Sequence, residues 1–63
     1  MERQFLEAKI ARIRAGFRQM ELAVKTGIPV AYVSFYENRL LKPSAERARK
    51  LNRILGAKVY DEK

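Results

Sequence analysis

The chain has 63 residues and contains neither cysteine nor histidine. We expect this length to form one small domain, residues 1–63, and no second one. The missing residue types exclude disulfide bonds, the usual zinc ligand sets and the commonest general base. A net charge of +7 points to a polyanionic partner. Charge alone does not distinguish a nucleic acid from a membrane surface.

The N-terminal segment, residues 1–14, mixes acidic and basic residues and contains no long apolar run. It does not have the composition of a signal peptide, and no segment of the chain is long enough to span a bilayer. We therefore expect a cytoplasmic location and no membrane association.

Residues 3–15 are predicted to form the first helix. Leu6, Ile10 and Ile13 recur at helical spacing, and Phe17 extends this apolar stripe beyond the helix. The stripe is predicted to face a core. An isolated basic amphipathic helix on a membrane is the alternative interpretation, but two more helices with apolar faces follow, which favours a packed domain.

Residues 18–39 are predicted to form two short helices joined by a tight turn. The first of these helices covers roughly residues 19–25. Gly27 then supplies the left-handed backbone that a turn after a helix requires. Pro29 suits the first turn of the next helix, where its missing N–H has no partner in any case. This helix is predicted to end near Asn38.

Spacing around the turn predicts which residues bring the two helices together. Ala23, Ile28 and Val33 are five residues apart in the sequence, so the small alanine permits close approach and the other two fill the wedge. Four residues of the second helix then face away from the body of the domain: Val30, Ala31, Ser34 and Phe35. In a helix-turn-helix, this is the side that enters the DNA major groove.

A further helix is predicted after Pro43. Ser44 suits its N-cap, Glu46 suits its first turn, and Gly56 ends it. Its apolar face is formed by four residues with Ile54 alongside: Ala45, Ala48, Leu51 and Leu55.

The tail, residues 57–63, is predicted to form at most one turn or a short strand. Val59 and Tyr60 either pack back on the core or join a dimer contact. The sequence leaves both interpretations open.

One ordered set of residues runs through most of the chain at fixed spacing. Its centre comprises Gln19, Leu22, Ala23, Thr26, Gly27, Ile28, Tyr32, Val33, Ser34, Glu37 and Asn38. It extends back to Ile10 and Arg12, and forward through Lys42, Pro43 and Ser44 to Leu55 and Gly56. This set resembles the lambda-repressor/Cro-like helix-turn-helix family, also called the XRE family. The tail departs from the family, since many members carry a fifth helix there.

The resemblance implies an all-α fold: a compact four-helix repressor-like domain with a helix-turn-helix and a short irregular C-terminal tail. It implies sequence-specific binding to double-stranded DNA and transcriptional regulation, as a repressor that forms a homodimer on a two-fold symmetric site. The third helices of such a dimer lie about 34 Å apart, one turn of DNA. The chain shows no catalytic constellation, and we expect no enzyme activity, cofactor, metal or small-molecule ligand.

Four residues match family positions that contact the DNA backbone: Gln19, Tyr32, Asn38 and Lys42. The competing interpretations are an exposed residue at a helix start for Gln19, packing for Tyr32, a helix end for Asn38 and a solvated charge for Lys42. Arg39 stands where the family usually has glycine, so a left-handed backbone there costs roughly 1 kcal/mol. We assign its charge, and that of Arg18, to phosphates as well.

Two further residues, Arg12 and Glu37, match the family positions of a structural ion pair. A bidentate contact between guanidinium and carboxylate would tie the first helix to the third.

The predicted base-reading side is unusually apolar. Val30, Ala31 and Phe35 cannot form hydrogen bonds with a base edge, although they can touch thymine methyl groups. Ser34 is the one polar side chain there, and a serine hydroxyl can form a hydrogen bond with more than one kind of base. Either specificity depends on methyl groups and DNA shape, or this side binds a protein. A protein-interaction module is therefore the alternative function.

Overall fold

The computed structural model describes residues 7–63. This part of the chain contains four α-helices and no strand, which confirms the all-α prediction. The helices are α1 (Ala8–Arg14), α2 (Gln19–Thr26), α3 (Val30–Glu37) and α4 (Ala45–Leu55). None of the four is long and apolar enough to cross a membrane. Leu6 and the other predicted residues of the first helix before Glu7 lie outside the described part.

The turn between α2 and α3 has the predicted backbone. Gly27 adopts a φ of 73° and donates its N–H to the carbonyl oxygen of Ala23 at 2.9 Å. Thr26 is buried, and its hydroxyl donates to the carbonyl oxygen of Leu22 at 2.9 Å. Pro29 is the N-cap of α3, so this helix begins one residue later than predicted. The glycine and the threonine together end α2 and let the chain reverse.

The residues predicted to join the two helices are in the core. Ala23, Ile28 and Val33 are all buried, and α2 packs against both α3 and α4. Burial of an isoleucine or valine side chain contributes about 1.5–3 kcal/mol, so this contact fixes the angle between the helices. Met20, also on α2, is exposed.

The first helix packs through a different side from the one predicted. Ile10 and Ile13 are 44% and 58% exposed, so their assignment to the core is wrong. The buried residues of α1 are Ala8, Ala11 and Arg12. These also lie at helical spacing, and their side lets α1 approach α3 closely while Arg12 turns inward toward an acidic partner. The apolar periodicity favoured burial of Ile10 and Ile13 because they are the larger side chains, but Ala8 and Ala11 are the ones that fit the space beside α3.

The predictions for α4 are confirmed. Ser44 is its N-cap, and the hydroxyl accepts a hydrogen bond from the backbone N–H of Arg47 at 3.2 Å. Gly56 ends the helix with a φ of 68°. The predicted apolar face is turned inward, with Ala48, Leu51 and Leu55 buried.

The tail packs back on the core as an irregular segment. Val59 and Tyr60 are 0% and 2% exposed within the single chain. Asn52 Oδ1 accepts the backbone N–H groups of both residues at 2.9 Å. Its Nδ2 donates to the carbonyl oxygen of Tyr60 and to Glu62 Oε2, each at 2.8 Å. The tail therefore contributes apolar side chains to the core, and one buried amide from α4 forms hydrogen bonds with the backbone of Val59 and Tyr60.

Candidate nucleic-acid interface

The predicted ion pair between α1 and α3 is present and extends to α2. Arg12 Nε donates to Glu37 Oε2 at 2.5 Å, and Arg12 Nη1 donates to the carbonyl oxygen of Phe17 at 2.9 Å. Gln19 Nε2 donates to the other carboxylate oxygen, Glu37 Oε1, at 3.0 Å. The Glu37 side chain is 5% exposed. One buried carboxylate thus ties together the two helices of the helix-turn-helix and the helix before them.

The start of α2 lies beside this carboxylate. Arg18 is the N-cap, and its backbone N–H donates to Glu21 Oε1 at 2.7 Å. Its own side chain is exposed, whereas Gln19 is half-buried. The two residues that we assigned to phosphates therefore lie together at the N-terminal end of α2, and Gln19 is fixed by its bond to Glu37.

The outward side of α3 is smaller than predicted. Ala31 and Phe35 are exposed and Ser34 is half-buried, but Val30 packs partly against the core. An apolar side chain in the first turn of a helix lowers the free energy by covering the edge of the core, which accounts for the inward turn of Val30. Tyr32 is also exposed, and its ring meets that of Phe35 edge to face with centroids 6.2 Å apart. We call Ala31, Tyr32 and Phe35 the exposed α3 surface.

The end of α3 carries two more of the predicted residues. Asn38 is the C-cap with a φ of −88°, and its Nδ2 donates to the carbonyl oxygen of Ser34 at 3.0 Å. The left-handed backbone falls on Arg39, with a φ of 59°. The Arg39 guanidinium carbon lies 5.3 Å from the centroid of the Tyr60 ring. A cation at this distance is attracted by the ring face, so the tail helps to hold Arg39.

Lys42 lies in the loop between α3 and α4. Its Nζ is 3.9 Å from Asp61 Oδ2, and the side chains of Lys42 and Asp61 are 70% and 38% exposed. Such an exposed pair contributes about 0–1 kcal/mol. The contact therefore does not prevent Lys42 from binding another anion.

Three tyrosine rings pack together, two from α3 and one from the tail, and an arginine of α4 bonds to one of them. The sequence analysis did not predict this arrangement. Tyr36 is buried between Tyr32 and Tyr60, with ring centroids 6.2 Å and 6.3 Å away. Its hydroxyl accepts a hydrogen bond from Arg47 Nη1 at 2.8 Å. The position of Tyr36, three residues after the buried Val33, is a signal that could have placed it in the core. Arg47 gave no such signal, because its partners belong to another helix.

Burial raises the pKa of Tyr60 from 10.0 to about 12. The negative charge of Glu37 acts in the same direction, whereas Arg39 and Arg12 oppose it. The ring that contacts the Arg39 guanidinium is therefore a neutral phenol over the ordinary pH range.

The fold and the arrangement of this surface define a class, the small helix-turn-helix domains. A helix-turn-helix family model, HTH_3, matches residues 9–61. No curated protein and no solved structure matches the chain. The chain belongs to the lambda-repressor/Cro-like, or XRE, helix-turn-helix family. Its general function is accordingly that of a DNA-binding transcription regulator.

Proposed function

We propose that the chain is a transcriptional repressor that binds specific sequences of double-stranded DNA by inserting α3 into the major groove. The main observation in support of this proposal is the buried Glu37 carboxylate. It accepts hydrogen bonds from Arg12 and Gln19 and so joins α1 and α2 to α3. These hydrogen bonds hold α3 in place, and Ala31 and Phe35 on the same helix remain exposed. A helix presented in this way suits a groove about 12 Å wide.

The DNA backbone is held on both sides of α3 in this proposal. Phosphate contacts come from six residues: Arg18, Gln19, Tyr32, Asn38, Arg39 and Lys42. A primary amide has two N–H donors, and Glu37 accepts one bond from the Gln19 amide, which leaves a second donor for a phosphate. Backbone N–H groups at the start of α2 add to this attraction. These contacts position the protein and are independent of sequence.

Specificity in this proposal comes from apolar contacts and from DNA shape. Ala31 and Phe35 touch thymine methyl groups, and Ser34 offers one hydroxyl to a base edge. Val30 contributes less because it is partly covered by the core. Sequence-dependent deformability supplies discrimination at positions without base contacts.

In this proposal, two copies of the chain bind together as a homodimer on a two-fold symmetric DNA site. The third helix has 8 residues, so one copy reads a short half-site. Two copies place their α3 helices about 34 Å apart, on one face of the duplex. The protein would act in the cytoplasm and block transcription by occupying the site, without a cofactor, metal or small-molecule ligand.

Binding to duplex DNA is the test. A first titration uses random duplex at low salt, and a selection from a random pool then finds preferred sequences. We expect enrichment of a two-fold symmetric sequence rich in thymine, bound by two protomers in sedimentation analysis. A duplex with one half-site is the control and should bind more weakly. Absence of binding to duplex DNA would overturn the proposal and favour a protein-interaction module that uses the exposed α3 surface.

A further inference from the structure

The side chain of Arg47 contacts α3 although the residue belongs to α4. Its Nη1 donates to Tyr36 Oη at 2.8 Å, and its guanidinium carbon is 5.2 Å from the centroid of the Tyr32 ring. Both tyrosines are residues of α3. A long basic side chain of one helix is thus fixed on the surface of another.

The partners of Arg47 in the described part of the chain are neutral, so none of them compensates its charge. Arg47 forms no ion pair with a carboxylate among residues 7–63. By contrast, the guanidinium of Arg12 donates hydrogen bonds to the Glu37 carboxylate and to the carbonyl oxygen of Phe17. A phenol oxygen and an aromatic face orient a guanidinium without neutralising it. Its remaining N–H donors stay available for an anion.

The position of Arg47 indicates which anion it binds. Tyr32 belongs to the exposed α3 surface and contacts Phe35, so the guanidinium lies at the edge of the surface assigned to the major groove. Phosphates of the DNA backbone flank a helix in that groove, and a guanidinium matches phosphate geometry with two parallel N–H bonds.

We propose that Arg47 is a phosphate-binding residue of the DNA interface, with Tyr32 and Tyr36 holding its guanidinium in the binding orientation. The inference rests on the proposed function, since it assigns a DNA contact to a residue outside the helix-turn-helix. Because the side chain is already ordered, less conformational entropy is lost on binding than for a mobile surface arginine. Tyr32 then acts mainly as the platform for this cation.

The test compares Arg47→Met with Arg49→Met on the selected site. Both changes remove one positive charge and keep an apolar stem, but Arg49 is exposed beside the tail and has no aromatic partner among the described residues. We expect Arg47→Met to weaken binding about tenfold and to lower the slope of log K against log salt by about one per protomer. We expect Arg49→Met to change affinity less than about threefold. Circular dichroism checks that both variants are folded.

A scan with neutral methylphosphonates identifies the contacted phosphate. At one position, the modification should reproduce the tenfold loss in the parent and have no effect on Arg47→Met. Arg47→Lys keeps the charge but loses the planar fork, so its salt slope should match the parent while its affinity falls. This variant and the scan of the parent also decide the matter if Arg47→Met does not fold.

Two negative results are distinguishable. A parent that binds duplex DNA, with Arg47→Met and Arg49→Met equal in affinity and slope, overturns the assignment of Arg47 alone. A parent that does not bind duplex DNA at low salt overturns the proposed function and this assignment with it.

Discussion

The two ends of the described chain are attached to the helix-turn-helix by different chemistry. The first helix buries Ala8 and Ala11 and depends on an ion pair from Arg12 to Glu37 of α3. The tail buries two large side chains, Val59 and Tyr60, and its backbone bonds to a neutral amide of α4. One attachment is charged and reaches α3, whereas the other is apolar and enlarges the core.

This difference indicates what each end contributes. A buried ion pair adds little net stability but fixes geometry, so α1 contributes mainly to the position of α3. Apolar burial adds stability directly, and a chain of this length needs it because its core is small. We therefore expect changes at the tail to affect unfolding most, and changes at α1 to affect both unfolding and DNA binding.

The largest expected effect belongs to Asn52. Asn52→Ala should lower the free energy of unfolding by about 3 kcal/mol, because the N–H groups of Val59 and Tyr60 lose their acceptor and the carbonyl oxygen of Tyr60 loses a donor. Urea unfolding measures this. Asn38→Ala is the control: Asn38 is exposed, and its amide only bonds within its own helix end, so less than about 1 kcal/mol should be lost. Equal losses would mean that the Asn52 amide does not hold the tail.

Arg12→Ala should have the next largest effect, lowering the free energy of unfolding by about 2 kcal/mol. Removal of one partner from a fully buried pair costs about 3–5 kcal/mol. The loss is smaller here because Gln19 still donates to Glu37. Lys9→Ala is the matched control, since Lys9 is exposed on the same helix. Equal melting temperatures for the two variants would contradict a stabilising role for the pair.

The pKa of Tyr60 gives the tail a dependence on pH. The folded pKa of about 12 exceeds the unfolded value of 10.0, so the stabilisation is complete below pH 10 and is lost as pH rises toward 12. The difference corresponds to about 2–3 kcal/mol. Urea unfolding of the parent and of Tyr60→Phe across this range isolates the effect, because the other tyrosines are common to both. Parallel stability curves would show that Tyr60 ionises with the same pKa in both states.

A smaller effect is expected at Lys42, whose exposed side chain makes a weak contact with Asp61 of the tail. Lys42→Ala should lower the slope of log K against log salt by about one per protomer and leave stability nearly unchanged. Gln19→Ala and Asn38→Ala should weaken binding to all sequences without altering the slope, because neither removes a cation. An unchanged slope in Lys42→Ala would identify Lys42 as a solvated charge.

The local geometry of the helix-turn-helix could be predicted from the sequence. Gly27 and Ser44 act through their own backbone or side chain within a few residues, so their roles are visible in the sequence. Ala23, Ile28 and Val33 lie close enough around the turn for their spacing to predict a contact.

Long-range partners could not be predicted in this way. The first helix offers two sides at helical spacing, and only the position of α3 decides that the side with Ala11 is buried and that with Ile13 is not. The sequence does carry one signal for Asn52, because this polar residue lies four residues after Ala48 and three before Leu55, on the buried side of α4. The contacts of Arg47 join a side chain of α4 to Tyr32 and Tyr36 of α3, and no local pattern in the sequence encodes such a long-range contact.

Phe35→Ala is the sharpest test of whether the exposed α3 surface reads DNA. If the aromatic ring contacts a thymine methyl group, we expect the variant to bind the selected site more weakly and random duplex nearly as well as the parent does. Replacement of that thymine by uracil should reproduce much of the loss in the parent and add little in the variant. A Phe35→Ala protein that binds the selected site as tightly as the parent would show that the exposed α3 surface does not read the DNA sequence through Phe35.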